Sequence, residues 1–241
     1  MQQEITSLIK ILKRDEQKFS NVNKIAFNKF QKWCAYIERI IQGSGKNPNI
    51  ISMAFVQKLI AYMGIIDSLK LSGGSSRKNI VLFFDKLDEN EKFLTMMAVQ
   101  VGRTETGSNL QGHPSKKKQR EEEIVHAYLT NNSRDLEKFF RKIILSDVSL
   151  YGLRSVLVHE GGFVISMVDS AGSILASYSP NMALKIDENI MSLDEMFLRG
   201  FCRIVDINTP PLKSRAKTFL QRSRYAAKTP EYLQLFESKF S

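Results

Sequence analysis

The stretch KIAFNKFQKWCAYIERIIQ, residues 24–42, decides the fold class of the first half of the chain. Its apolar side chains recur at three- and four-residue steps, which indicates a helix, and they cover much of the helix circumference. They are Ile25, Phe27, Phe30, Trp33, Cys34, Ile37, Ile40 and Ile41. A helix that is apolar on several sides needs several packing partners, so we predict that it is central to a helical lobe and that Trp33 belongs to the core.

Three further elements are predicted after this helix. Residues 51–69 show helical spacing of apolar side chains and predict a second long helix. Residues 80–84 are β-forming residues between turn signals, which predicts a short strand. Asp88, with Glu91 three residues later, predicts a capping box that opens a helix through residue 101.

A second group of elements follows a glycine-rich, polar stretch at residues 102–115, which we predict to be a hinge. Ser133 is predicted as the N-cap of an amphipathic helix, and Ser192 with Glu195 predicts another capping box. Residues 163–178 alternate loosely around a turn, which predicts a small β-hairpin, with a pair of buried helical turns as the alternative.

These patterns predict a mainly α fold of two helical lobes with a small β-hairpin and an arm at each terminus. The predicted divisions are an N-terminal arm at residues 1–20, an N-terminal lobe at 21–108, a C-terminal lobe at 109–208 and a basic C-terminal arm at 209–241. Each arm carries an apolar stripe that we predict to mediate self-assembly: Ile5, Leu8 and Leu12 in the first, and Tyr232, Leu233, Phe236 and Phe240 in the second. Such a stripe can dock on its own body or on a neighbouring copy, and the sequence leaves both possibilities open.

Positive charge is in excess and is concentrated near the end of the chain. The 241 residues carry a formal net charge of +10, and residues 209–228 contain six cationic side chains and no carboxylate. Such an excess attracts polyanions with a strength that falls as salt rises, so nucleic acid is the first predicted partner. The cations predicted to bind RNA are Arg77, Lys78, Arg103, Lys116, Lys117, Lys118, Arg120, Arg199, Arg203, Lys213, Arg215, Lys217, Arg222 and Arg224.

No motif indicates a reaction. The histidines and cysteines show no metal-ligand spacing, and His159 lacks the second histidine that a zinc-binding helix needs. Cys34 and Cys202 lie in apolar helical patterns and are predicted to be buried free thiols. The chain has no run of eighteen apolar residues and no secretory signal pattern at its start, so we expect no membrane span and a reducing compartment. We expect no enzyme activity, no metal and no cofactor.

The signatures of sequence-reading RNA modules are missing as well, which favours binding along single-stranded RNA without sequence choice. In this interpretation a basic groove between the lobes contacts phosphates, and aromatic side chains give the bases a stacking surface. Two alternatives stay open. One is a non-polymerising regulatory protein, viral or host, that binds duplex RNA or an acidic protein, and the other is a nucleic-acid enzyme with an unrecognised site.

Three short stretches carry a family resemblance: residues 5–12, residues 25–30 followed by Cys34, and residues 216–221. Together with the terminal arms, the two lobes and the basic hinge, they make the chain resemble the nucleoproteins of segmented negative-strand RNA viruses of the bunyavirus order, of the tospovirus and orthobunyavirus kind. The resemblance implies a protein that encapsidates genomic RNA in a cleft between its lobes and polymerises by passing its arms to adjacent subunits. It also implies Arg103 as a basic residue between the lobes, a viral polymerase as a further partner, and a location in the virion and the host cytoplasm.

Overall fold

The computed structural model describes residues 2–45, 47–103, 114–145, 164–168, 174–179, 182–223 and 230–241. Within these residues the protein is mainly α-helical, which confirms the predicted class. The helices are α1 (Gln2–Asp15), α2 (Asn21–Gly43), α3 (Pro48–Ser68), α4 (Ser76–Asp85), α5 (Glu89–Ala98), α6 (Pro114–Leu129), α7 (Ser133–Leu145), α8 (Leu193–Ile204), α9 (Lys213–Arg222) and α10 (Pro230–Phe240), with a short 3-10 helix at Glu16–Lys18.

Four strands form one antiparallel sheet: β1 (Val99–Arg103), β2 (Val164–Val168), β3 (Ile174–Ser179) and β4 (Met182–Ile186). They are ordered β1-β4-β3-β2, so the strand that follows α5 pairs with the last of the four described strands. The turn of the hairpin predicted over residues 163–178 falls at residues 169–173, outside the described part of the chain. That hairpin therefore stays a prediction.

Helix α2 begins where Ser20 caps it, because the Ser20 side chain accepts a hydrogen bond from the backbone N–H of Asn23. It packs against α3 and buries one face, formed by Ala26, Phe27, Phe30 and Ile37. Helix α8 is enclosed on nearly every side, since all its residues from Leu193 to Cys202 are buried except Asp194. A helix buried all round occupies the middle of a core.

Aromatic rings join α2, α4 and α8. Phe197 of α8 stacks on Phe30 of α2 at a centroid distance of 4.6 Å and on Phe83 of α4 at 5.5 Å. Phe201, one turn later, stacks on Phe27 at 5.8 Å. The apolar core is continuous from α1 to α10. The predicted lobe boundaries stay predictions, because the residues that would form the hinge, 104–113, lie outside the described residues.

Two sequence-based predictions are corrected in this region. Residues 80–84 are not a strand but belong to α4, in which Ile80, Phe83 and Phe84 are buried. These positions lie three and four residues apart, so the same apolar residues that suit a strand form the buried face of a helix. Helix α5 ends at Ala98 rather than at residue 101, because the chain continues as β1.

The predicted helix caps are present with one displacement, and at α8 Ser192 caps the helix without the reciprocal bond from the Glu195 side chain that a capping box has. At α5 the backbone N–H of Glu91 donates to Asp88 at 2.9 Å and the Asp88 N–H donates to Glu91 at 2.8 Å, which confirms the capping box. At α7 the cap is Asn132 rather than Ser133. Its side-chain oxygen accepts a hydrogen bond from the backbone N–H of Asp135 at 3.1 Å.

Candidate nucleic-acid interface

Arg199 lies in the interior rather than on the surface. Its Nε donates to Glu195 at 2.8 Å, and its Nη1 donates to Glu91 at 3.2 Å. The same Nη1 donates to the carbonyl oxygen of Pro210 at 3.0 Å. The Arg199 side chain is 1% exposed and both carboxylates are 0% exposed. A phosphate has no access to a guanidinium enclosed in this way, so we remove Arg199 from the predicted RNA contacts.

Arg203 contacts Glu91, and Arg215 contacts Glu195. Nη2 of Arg203 lies 2.8 Å from Asp88 and 3.2 Å from Glu91. Nη1 of Arg215 lies 2.8 Å from Glu195. Both arginines are also removed from the predicted RNA contacts, because their guanidinium groups are committed to internal carboxylates. We call the set of Glu91, Glu195, Arg199, Arg203 and Arg215 the buried charge network.

The buried charge network does not account for the positive excess of the chain. Glu4 and Asp88 pair with its outer arginines, so four carboxylates meet three guanidinium groups. This assembly is not positive, whereas the whole chain carries +10. The excess therefore resides on side chains outside the network.

Five of the predicted RNA-binding cations are exposed and have no carboxylate within 4.0 Å among the described residues: Arg77, Lys78, Arg120, Lys213 and Arg222. Lys217 is half-buried, with its Nζ 5.9 Å from the centroid of the Phe240 ring. The side chains of Arg103 and of residues 116–118, and all of Arg224, lie outside the described part.

None of three open cavities on the described surface is lined by a predicted RNA-binding cation. The cavity between α6, α7 and α10 is lined by Glu122, Glu123 and Asp135, which gives it the wrong charge for a phosphate. A cleft that gathers the predicted cations stays a prediction, since several of them belong to residues that are not described.

The outward side of α2 carries rings and cations together. We define the α2 outer face as Val22, Ile25, Lys29, Lys32, Trp33, Tyr36 and Arg39, all of which are exposed. Ile25 is 55% exposed, Tyr36 is 49% exposed and Trp33 is 36% exposed. The Trp33 and Tyr36 rings are in edge-to-face contact, with centroids 5.5 Å apart and planes at 84°.

This arrangement corrects the prediction that Trp33 belongs to the core. Helix α2 has more apolar residues than its one buried face holds, and the surplus faces solvent. The signal is present in the sequence: Val22, Ile25, Trp33 and Tyr36 share a side of the helix that Phe27 does not. A count of apolar residues around the whole helix does not separate this exposed stripe from the buried one.

The N-terminal helix docks on its own chain. Leu8 and Leu12 are 1% and 0% exposed, Ile5 is 8% exposed, and α1 packs against α8. Arg215 adds an ion pair to Glu4 at 2.8 Å. The predicted assembly residues of this arm are therefore covered within the subunit. They serve assembly only if α1 leaves this site and occupies the same site on a neighbour.

The C-terminal helix is docked in the same manner. Phe236 is 9% exposed, Tyr232 and Phe240 are half-buried, and the Tyr232 ring lies 6.2 Å from His126 of α6. Lys239 pairs with Glu89 at 2.8 Å. Of the four residues predicted to mediate assembly in this arm, Leu233 alone is exposed, at 49%.

The two cysteines are free thiols whose pKa values are raised. Cys202 is buried, and burial raises the pKa of its thiol to about 12. Cys34 is half-buried, with Sγ 2.9 Å from the Tyr62 hydroxyl, which in turn donates to Asp194. Burial, reinforced by the negative charge of Asp194, raises the pKa of Cys34 to about 12. Within the described residues no three of the side chains that ligate metals lie close enough together to hold an ion.

No protein-family model, no curated protein and no solved structure matches the chain. Among the described helices, none combines the length and the apolar character that crossing a membrane requires.

Proposed function

We propose that this chain is a nucleoprotein that binds single-stranded viral genomic RNA without sequence preference and encapsidates it by self-association. The observation that carries the proposal is the location of the charge. The arginines that touch internal carboxylates do not supply the +10 excess, and exposed cations such as Arg77, Lys78 and Arg222 have no carboxylate partner within the described residues. Unpaired surface cations favour a polyanionic partner.

Sequence-independent binding follows from this kind of contact. Phosphates carry the same charge beside every base, so cations that contact them position a strand without reading it. In the proposed assembly the RNA lies in a basic cleft between two helical lobes, and the small β-hairpin belongs to the second lobe. The cleft is proposed at the two most basic stretches of the sequence, residues 116–120 and residues 209–228.

Self-association is proposed to use the contacts that α1 makes within one subunit. Leu8 and Leu12 of α1 are buried where this helix packs against α8, and Glu4 of α1 pairs with Arg215. These contacts together form a complete docking site for α1. Exchange of α1 between neighbours reproduces the same contacts in trans at little cost in free energy. Repeated in one direction, such exchange links subunits along a strand.

Binding and assembly are tested together by size-exclusion chromatography. The protein is stripped of nucleic acid in high salt and mixed with a single-stranded RNA or with a duplex of equal length, and the ratio of absorbance at 260 and 280 nm is followed across the peaks. We expect a large RNA-loaded species with the single strand, and an affinity that falls steeply with salt. A monomer that prefers the duplex would overturn the proposal in favour of a regulatory protein. Metal-dependent degradation of the RNA would overturn it in favour of an enzyme.

A further inference from the structure

The α2 outer face is an exposed helix surface on which two aromatic rings lie between cations. Lys29, Lys32 and Arg39 are exposed and have no carboxylate within 4.0 Å in the described part of the chain. Glu38 is the one acidic residue of α2. The cations lie on the same side of the helix as Trp33 and Tyr36, so rings and positive charges are presented to the same partner.

In the edge-to-face pair of Trp33 and Tyr36, one ring is not covered on its faces by the other. Because the planes of Trp33 and Tyr36 meet at 84°, the ring that contributes its edge keeps both of its faces clear of the other ring. A planar base stacks on such a face whatever its identity, since every nucleobase has a π-face. The neighbouring cations are then in position for the phosphates on either side of the stacked base.

The length of the face suits a short run of nucleotides. Lys29 and Arg39 are ten positions apart, so they are separated by about 15 Å along the helix axis. That distance corresponds to about four nucleotides at stacked spacing. Short platforms of rings and cations on this scale are the usual means of holding single strands without sequence readout.

We propose that the α2 outer face is a base-stacking surface for single-stranded nucleic acid, with Trp33 and Tyr36 stacking on bases and Lys29, Lys32 and Arg39 contacting phosphates. The proposal rests on the RNA-binding function proposed above and adds a site that lies outside the predicted basic stretches.

A second copy of the chain fits this face less well. Two copies that met through the same face about a two-fold axis would bring the cations Lys29, Lys32 and Arg39 of one copy close to the same set of cations on the other. Like charges placed opposite one another across an interface repel and disfavour association. A negatively charged strand removes that repulsion and uses the same cations, so charge complementarity selects nucleic acid as the occupant.

The chain contains a single tryptophan, so its tryptophan fluorescence reports on Trp33 alone. Oligouridine of about ten nucleotides is titrated into the full chain, and tryptophan fluorescence is recorded in parallel with the anisotropy of the same oligonucleotide labelled at its 5′ end. Stacking predicts that tryptophan emission is quenched over the concentration range in which anisotropy rises. The variant Trp33→Ala is expected to weaken binding about tenfold, whereas Trp33→Phe, which keeps a ring, retains most of the affinity.

The control is Met53→Ala, which removes an exposed apolar side chain of α3 and is expected to leave affinity unchanged. Circular dichroism melting of all variants confirms that they are folded. If anisotropy rises without quenching and Trp33→Ala binds like the parent, this inference is overturned while the proposed function stands. If anisotropy does not rise at all, both are overturned. A Trp33→Ala variant that changes subunit association but not RNA affinity would overturn the stacking role in favour of a self-association surface.

Discussion

Arg199 separates two carboxylates that have no access to water, so its loss leaves both without their central partner. Removing one member of a buried ion pair costs about 3–5 kcal/mol, because the remaining charge stays desolvated. We expect Arg199→Ala to lower the free energy of unfolding in urea by about 3 kcal/mol or more. We expect the free energy of unfolding of Arg199→Lys to lie between that of Arg199→Ala and that of the parent, because an ammonium group does not reproduce the forked contacts to Glu195 and Glu91.

The matched control for Arg199 is Arg222→Ala, which removes an exposed arginine of α9. We expect a change within about 0.5 kcal/mol for that variant, the usual range for surface substitutions. Equal unfolding midpoints for the parent and Arg199→Ala would contradict the assignment of Arg199 to a buried network.

The two thiols give a prediction about chemical reactivity. With pKa values raised to about 12, Cys34 and Cys202 are almost entirely protonated at pH 8. The thiolate is the reactive form, so native labelling by a disulfide reagent is expected to be on the order of a thousandfold slower than labelling of the chain unfolded in guanidinium chloride. The native rate should rise with pH, because raising pH populates the thiolate. Single variants Cys34→Ser and Cys202→Ser assign the two rates, and a fast native phase would contradict the burial of the corresponding thiol.

For single residues, the sequence gives the residue type but not the environment of the side chain. Arg199 and Arg222 are both arginines in helices, and what distinguishes their surroundings is the approach of Glu91 from α5 to Arg199, 108 positions away in the chain. The prediction for Trp33 was wrong in the opposite direction, because this apolar residue was assigned to the core and is exposed. Both errors have one cause: side-chain environment is set by contacts between distant elements.

Helices α4 and α8 approach so closely that Gly200 has no room for a side chain. A Cβ at Gly200 would lie 2.7 Å from Cζ of Phe83, well inside van der Waals contact. Phe83 is itself buried and cannot swing into solvent. We expect Gly200→Ala to destabilise the protein by about 1–3 kcal/mol through overpacking, measured by urea unfolding.

Gly64 provides the comparison for Gly200. It is exposed within α3, and nothing lies within 4 Å of an added Cβ. Alanine is favoured over glycine in a helix interior, so Gly64→Ala is expected to stabilise the protein by up to about 1 kcal/mol. Opposite signs for the two substitutions support the α4–α8 contact, and stabilisation by both would contradict it.

The docking of α1 predicts that this helix contributes to the stability of its own subunit. Leu12 is fully buried by the contact with the body of the protein, so Leu12→Ala removes core packing and is expected to lower the free energy of unfolding by about 2–5 kcal/mol. Lys13→Ala, on the exposed side of the same helix, should have little effect. If Leu12→Ala leaves stability unchanged but reduces the size of the RNA-bound assembly, α1 is docked on a neighbour rather than on its own subunit.

Helical periodicity predicted the long elements well because it depends on local spacing. It located α2 and α3, and the capping residues Asp88 and Ser192 marked the starts of α5 and α8. It failed for α4, in which a five-residue apolar run suits either a strand or a helix and only packing decides. Glu195 was expected to complete a capping box, but its carboxylate is held by Arg199 and Arg215 instead.

For the whole molecule, the sequence predicted a mainly helical protein but could not predict that its core is continuous. Residues of α1, α2, α4, α5 and α8 contribute to the same cluster, although a division into arms and lobes assigns them to different parts. Local patterns contain no information on which helix packs against which. The net charge, by contrast, is a sum over the chain and follows directly from the sequence, so the RNA prediction depends on it more than on the fold.

The strongest test of that prediction is the basic run at the start of α6. Cations in the first turn of a helix are unfavourable to its dipole, so replacing Lys116, Lys117, Lys118 and Arg120 by alanine should not weaken the helix. We expect this variant to bind single-stranded RNA more weakly and to lose up to about 0.7 from the slope of log affinity against log salt for each phosphate contact removed.

The slope of log affinity against log salt distinguishes direct phosphate contacts from an effect of total charge. The comparison needs a second variant with the same change in net charge at other positions. Alanine at Lys10, Lys13, Lys86 and Lys138 provides it, since all four are exposed and none belongs to the predicted RNA contacts. Because long-range attraction is screened within about 8 Å at physiological salt, the control should lose little affinity there and keep the parent slope. Equal losses in both variants would mean that the RNA responds only to the total charge of the protein, and the basic run would then have no place in the binding site.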